Sequence, residues 1–166
     1  MLARSRGRTI AVRPGGGEQG RPTMPIRDFL LRLLSITRLL QTWHTALLAL
    51  DDGRRAKVAD YADEIAATFA RAAQAFTILE RTPADARARR DAVRELGRIS
   101  GYLDDLVAIL GTVLDGRKLA GFRRRLSSLA PPSPTSLGPS LRSNPKLDAL
   151  IDAEGYFRAL ADGLRA

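Results

Sequence analysis

The spacing of apolar residues restricts the fold more than any other feature, because it advances by alternating steps of four and three. Such steps return to the same side of an α-helix, so each series predicts a helix that buries one face. The first series begins after Met24 and predicts a helix through Leu50. Its members are Phe29, Leu33, Ile36, Leu40, Trp43, Leu47 and Leu50.

The same spacing predicts a second helix over about 54–81 and a third that begins at Thr82-Pro83. Asp51-Asp52-Gly53 separates the first two helices by a tight turn, so we expect them to pair as an antiparallel hairpin. In the third helix we expect Thr82 as the N-cap and Pro83 at the first helical position. Its apolar series reaches Val113: Ala92, Leu96, Ile99, Leu103, Leu106, Leu110 and Val113.

The rest of the chain divides by composition. Asp115-Gly116 predicts a break, after which Leu119, Phe122, Leu126 and Leu129 predict a short fourth helix. A Pro- and Ser-rich stretch follows and predicts an extended linker, and a last helix begins at Pro145. We therefore predict an all-α fold, an antiparallel bundle of four to five helices. The segments are a disordered basic arm or misannotated start at 1–23, the bundle at 24–130, the linker at 131–144 and the C-terminal helix at 145–166.

Composition excludes much enzyme chemistry. The chain has no cysteine and one histidine, His44, so thiolate nucleophiles, Cys-ligated zinc and iron–sulfur clusters are excluded. No phosphate-binding glycine loop or nucleophile elbow is present. We expect no catalytic residue, metal or cofactor, and a packing or surface role for His44. One alternative is a Mg²⁺-dependent nucleotide hydrolase that uses Asp60, Asp63 and Glu64 with Asp104 or Asp105.

Charge indicates an anionic partner. Lys and Arg number 27 against 18 Asp and Glu, a net charge of +9. Such an excess favours nucleic acid, bound through phosphates with little sequence specificity. The basic residues form three separated groups, so we expect a distributed basic surface. They are Arg54, Arg55 and Lys57; Arg87, Arg89, Arg90, Arg94 and Arg98; and Arg117, Lys118, Arg123, Arg124 and Arg125.

No apolar run approaches the roughly 20 residues that span a bilayer, so we expect a soluble, cytoplasmic protein with no membrane role. Gly97 and Gly101 lie one turn apart inside the third helix. Glycine there costs about 1 kcal/mol relative to alanine. We therefore expect another backbone to approach them closely, either within the bundle or across a contact between subunits.

Two segments carry a family resemblance. Thr82-Pro83 followed by Glu95-Leu96-Gly97-Arg98-Ile99-Ser100-Gly101 resembles the last-helix signature of the accessory variability determinant proteins of diversity-generating retroelements. The stretch from Asp60-Tyr61-Ala62-Asp63 to Leu79 is similar to the preceding helix of that family. Two features differ: Tyr102-Leu103 stands where the family has tryptophan, and the chain continues well beyond the motif.

This resemblance implies a small basic four-helix bundle that forms a homo-oligomer, a pentameric barrel in that family. It implies binding to nucleic acid and to the retroelement's reverse transcriptase. The resemblance also implies two roles for residues of the third helix. Helix or subunit packing is expected of Gly97, Arg98 and Gly101. Contact with nucleic acid or the polymerase is expected of Arg87, Arg89, Arg90 and Arg94. The alternative is a protein-interaction adaptor with no nucleic-acid role, in which the 145–165 helix docks into a partner's groove.

Overall fold

The computed structural model describes residues 25–112, 114–129 and 145–166, and these residues form six α-helices and no strand. The all-α bundle is confirmed, with six helices where four to five were predicted. The predicted arm (1–23) and linker (131–144) lie outside the described residues. The helices are α1 (Ile26–Gln41), α2 (His44–Leu48), α3 (Asp52–Arg81), α4 (Ala86–Leu110), α5 (Gly116–Ser127) and α6 (Pro145–Arg165).

One continuous apolar core joins the helices. The predicted series supply it, and Phe29, Phe69, Phe122 and Phe157 are completely buried. Each such phenylalanine contributes about 1.5–3 kcal/mol by leaving water. Helix α3 lies at the centre and packs most extensively on α6 and α4. The rings of Phe69 and Phe157 stack between α3 and α6 with centroids 5.9 Å apart.

The first predicted helix is interrupted, and the predicted hairpin is wrong. Thr42 and Trp43 separate α1 from α2, and α1 packs chiefly on α6 and α5 rather than on α3. The Thr42 hydroxyl donates to the Leu39 carbonyl at 2.7 Å, a local bond that competes with helix propagation. Trp43 then lies against Phe122 of α5, with ring centroids 5.2 Å apart.

Aspartates begin three of the helices. Asp51, Asp85 and Asp115 are the N-caps of α3, α4 and α5, and each side chain accepts a backbone N–H of the first turn. The prediction of Thr82 as the N-cap of the third helix is therefore wrong. The Asp85 carboxylate accepts from two amides, at 2.9 Å each, whereas the Thr82 N–H still bonds to α3.

Helix α6 is part of the bundle. Ala153, Phe157 and Ala161 are buried, so its apolar face is covered within this chain. Arg165 at its end contacts Asp60 and Asp63 near the start of α3, so the two helices run antiparallel. Within the described ranges, no helix combines the length and apolar character needed to cross a bilayer.

Candidate nucleic-acid interface

The thirteen basic residues predicted to bind nucleic acid all lie at least partly at the surface. They differ in what their cationic groups already contact. An arginine beside a carboxylate contributes less net attraction to a phosphate than an arginine without such a neighbour, although an exposed ion pair itself is worth only about 0–1 kcal/mol.

The α4 arginines are mostly engaged. Asp91 lies 3.0 Å from Arg94 and 3.9 Å from Arg87, so one carboxylate serves two guanidinium groups. Arg89 donates through Nη2 to the carbonyl of Pro83 at 2.8 Å and thereby closes the turn before the helix. Arg90 is the one α4 arginine for which the described residues supply neither an ion pair nor a side-chain hydrogen bond.

Arg98 and Glu95 belong to a polar contact between α3 and α4. Glu95 is buried and accepts from Arg71 Nε at 2.8 Å and from Arg98 Nη1 at 3.3 Å. Arg71 also donates to the Thr68 hydroxyl at 2.8 Å. This contact satisfies a buried carboxylate, so Arg98 has a structural task. Sequence reasoning missed Arg71 and Glu95, because spacing on one helix does not reveal which charge faces it from another.

The α3 group is also largely neutralised. Arg54 pairs with Asp51 at 3.3 Å, and Arg55 pairs with Asp52 at 2.8 Å. Both pairs are local i,i+3 contacts at the start of the helix, and Lys57 is the member with no carboxylate within ion-pair distance among the described residues. This group therefore presents one unpaired cation.

Helix α5 differs from both groups. Its twelve residues include five Lys and Arg and no Asp or Glu. Lys118 pairs with Asp115 at 3.4 Å, whereas no ion pair within the described ranges involves Arg117, Arg123, Arg124 or Arg125. Outside α5, the described residues carry 16 Lys and Arg against 17 Asp and Glu. The net positive charge of the described residues is therefore carried by α5, although the predicted basic residues themselves lie at the surface of α3, α4 and α5.

Local contacts hold α5 with its basic side outward. Phe122 and Leu126 are buried, and Leu119 packs at the edge of the core. At its start, the backbone N–H of Lys118 donates to Asp115 at 2.8 Å, and this hydrogen bond holds the pKa of the Asp115 carboxyl below its usual value. The N-terminus of α5 therefore carries its own anion.

Arg32 of α1 closes the other end of α5. Its Nη1 donates to the carbonyl of Ser128 at 3.0 Å, which places a cation at the negative end of the helix. Arg32 is exposed, so it extends the basic surface beyond Arg125. Sequence reasoning did not single out Arg32, because its partner lies 96 residues away.

Asp60, Asp63 and Glu64, three of the carboxylates of the hydrolase alternative, contact other side chains. Arg165 binds both Asp63 and Asp60, the latter at 2.9 Å, and these two hydrogen bonds raise the pKa of its guanidinium. The Tyr102 hydroxyl lies 3.4 Å from Glu64 Oε2. In the part of the chain that the structure describes, no group of three or more His, Asp or Glu residues is arranged to hold a metal ion. His44 is exposed.

Gly97 and Gly101 have open space around them. Beyond the adjoining turns of its own helix, a Cβ built on either glycine meets no atom of the chain within 4 Å, so close packing within the bundle, one of the two expectations, is wrong. A contact with a second subunit stays a prediction. Gly111 is the closer case, since a Cβ there lies 3.4 Å from Leu119 and from two carbonyl oxygens of α4.

No family model matches the chain, and no match was found among the curated proteins or the solved structures. The resemblance to retroelement accessory proteins therefore stays a prediction.

Proposed function

We propose that the protein is a non-enzymatic accessory protein that binds nucleic acid through α5 and serves a partner enzyme. The observation that carries this proposal is the set of four exposed arginines on one short helix that lack carboxylate partners among the described residues. Phosphate contacts by such a set release counterions, so affinity depends steeply on salt and little on sequence. The chain is 5% aromatic, so backbone contacts outweigh base stacking.

A matched pair of variants tests this proposal. Arg123→Gln/Arg124→Gln/Arg125→Gln removes three charges from α5, and Arg87→Gln/Arg90→Gln/Arg94→Gln removes three from α4. Fluorescence anisotropy with single-stranded RNA and duplex DNA is measured over a salt series. At about 100 mM salt we expect roughly a 100-fold loss for the α5 variant and a loss of about threefold for the α4 variant. Equal losses, or no binding by the unaltered protein, contradict the proposal.

The partner enzyme, in this proposal, is the reverse transcriptase of a diversity-generating retroelement. Support comes from the resemblance at Thr82-Pro83 and residues 95–101. The test is a reverse-transcriptase gene beside this gene, followed by co-elution of the two purified proteins. Absence of such a gene contradicts this half of the proposal and leaves nucleic-acid binding intact. Gly97 and Gly101, open on the α4 surface, support a homo-oligomer, which light scattering tests directly.

The adaptor alternative has less support than nucleic-acid binding. In that alternative the apolar face of residues 145–165 docks into a partner, but Phe157 and Ala161 are already buried in this chain. Partner docking therefore requires α6 to leave α3 and expose both apolar surfaces. Deletion of residues 131–166 does not test the adaptor alternative, because loss of α6 uncovers the apolar core.

A further inference from the structure

We infer that α5 enters the major groove of B-form DNA, so that its preferred ligand is duplex DNA rather than RNA. This inference rests on the proposed function, since it names the ligand class of the same helix. Two features of α5 support this ligand: the positions of its cationic side chains around the helix and the small residues between them.

The basic side chains occupy more than half of the helix circumference. At about 100° per residue, Arg117 and Arg124 lie nearly in line, opposite the buried Phe122 and Leu126. Arg123 lies about 110° to one side of this line, and Lys118 and Arg125 lie about 100° to the other side. All five are exposed. A flat phosphate surface contacts only the central line, and the side chains at both edges then point away from it.

A groove with phosphates on both sides accommodates this arrangement. The major groove of B-DNA is about 12 Å wide and admits an α-helix, whose diameter with side chains is about 10–12 Å. In that position the edge cations face the phosphates of the two strands. The two central arginines lie over the base edges, and their contribution there is small beside the phosphate contacts of the edge cations.

Small residues separate the central line from the edges. Ala120 and Gly121 lie about 50° to either side of Arg117 and Arg124. A Cβ built at Gly121 meets no atom within 4 Å, so packing within the chain does not require glycine there. Glycine inside a helix is unfavourable relative to alanine. Its absence of a side chain instead lets the helix axis come close to the groove floor.

The same geometry disfavours RNA duplexes and phosphate capture at the helix end. The major groove of A-form RNA is deep and too narrow for side chains to read. Helix N-termini often bind phosphates, but the N-terminus of α5 holds the Asp115 carboxylate 2.8 Å from the Lys118 amide. A phosphate is repelled there, so contact runs along the exposed side of the helix.

The test uses the full chain and three probes of one mixed sequence, with affinities measured by anisotropy. The probes are a DNA duplex, an RNA duplex, and a DNA duplex in which glucosylated hydroxymethylcytosine replaces cytosine and fills the major groove. We expect the plain DNA duplex to bind about tenfold tighter than either other probe, since the phosphate charge of all three is equal. The inference is overturned if the affinities for the DNA and RNA duplexes agree within about twofold and the glucose does not change the affinity for DNA.

A second measurement keeps charge constant. Gly121→Leu adds bulk between the arginines, and Gly155→Leu adds the same bulk on α6, where a built Cβ also meets nothing within 4 Å. We expect Gly121→Leu to weaken plain DNA about fivefold and to leave the glucosylated probe unchanged, with no effect of Gly155→Leu. Equal effects on the plain and glucosylated probes overturn the inference. If the Arg123/Arg124/Arg125 glutamine variant loses binding but the unaltered protein binds all three probes equally, the major-groove inference is wrong and the proposed function stands. Insensitivity to that variant overturns the proposed function as well.

Discussion

Helices α4 and α5 each carry five basic residues, yet they use them in opposite ways. In α4, Asp91 and Glu95 are interspersed among the arginines and pair with Arg87, Arg94 and Arg98. In α5 no acidic residue is present, and the one local pair involves Lys118 and the N-cap Asp115. The difference shows that a count of arginines does not measure how many are available to a polyanion. What matters is whether a carboxylate lies three or four residues away.

Carboxylates placed within α5 should remove the difference between α4 and α5 in available cations. Ala120→Glu/Ser127→Glu puts an acid three or four residues from Arg117, Arg123 and Arg124 while every basic residue is kept. We expect roughly a 50-fold weaker affinity for nucleic acid, because two charges are cancelled and the arginines gain local partners. Fluorescence anisotropy near about 100 mM salt measures the effect. The control is Ala120→Gln/Ser127→Gln, and an equal loss in both variants contradicts the role assigned to pairing.

We expect the contact of buried Glu95 with Arg71 and Arg98 to affect stability rather than binding. Glu95→Ala leaves Arg71 and Arg98 without their shared acceptor, and we expect the free energy of unfolding to fall by about 2 kcal/mol in urea titrations. Glu80→Ala, which removes an exposed carboxylate from α3, is the matched control and changes stability by less than about 0.5 kcal/mol. If both variants unfold at the same urea concentration, the Glu95 contact contributes nothing to stability.

A smaller effect is expected when the α4 arginines lose their partner. Asp91→Asn removes the carboxylate that pairs with Arg87 and Arg94, and we expect nucleic acid to bind about threefold tighter. Asp104→Asn makes the same change in net charge at an exposed α4 site with no ion pair within the described ranges. A gain limited to Asp91→Asn supports pairing as the cause. A gain of more than about 30-fold shows that α4 is the stronger binding helix.

The smallest expected effect concerns the N-cap of α5. The pKa of Asp115 is lower in the folded protein than its usual value of 3.8, so the charged cap stabilises α5 above that value. This stabilisation is lost as the pH falls through the lowered pKa. We therefore expect the protection of the α5 amides against exchange, relative to the intrinsic exchange rate at each pH, to fall below about pH 4. Asp115→Asn keeps an acceptor without a titratable charge, and the same loss of protection in that variant contradicts the assignment.

Spacing alone predicted most of the helices, because each apolar series marks one face of one helix. The predicted second helix (54–81) differs from α3 by two residues at one end, and the last helix begins at Pro145 as predicted. Spacing did not indicate which helices pair. The apolar face of one helix can pack against the apolar face of any other helix. That α3 packs on α6 rather than on α1 depends on specific contacts, such as that of Phe69 with Phe157.

The candidate site was predicted only in outline. All five basic residues of α5 were predicted from the sequence to bind nucleic acid. The same prediction included the α4 arginines that the structure shows to be paired. Pairing within one helix is visible in the spacing of Asp91 from Arg87 and Arg94. The contacts of Arg32 with Ser128 and of Arg71 with Glu95 join distant parts of the chain, so no local pattern indicates them.

The packing of α6 on α3 also has a consequence for synthesis of the chain. Phe69 and its apolar neighbours on α3 are synthesised well before α6, the helix that covers them. Until residues 145–165 emerge, the nascent chain presents an uncovered apolar surface on its longest helix. Fragments that stop before this point are therefore expected to aggregate or to require a chaperone, and the bundle closes only once α6 has been translated.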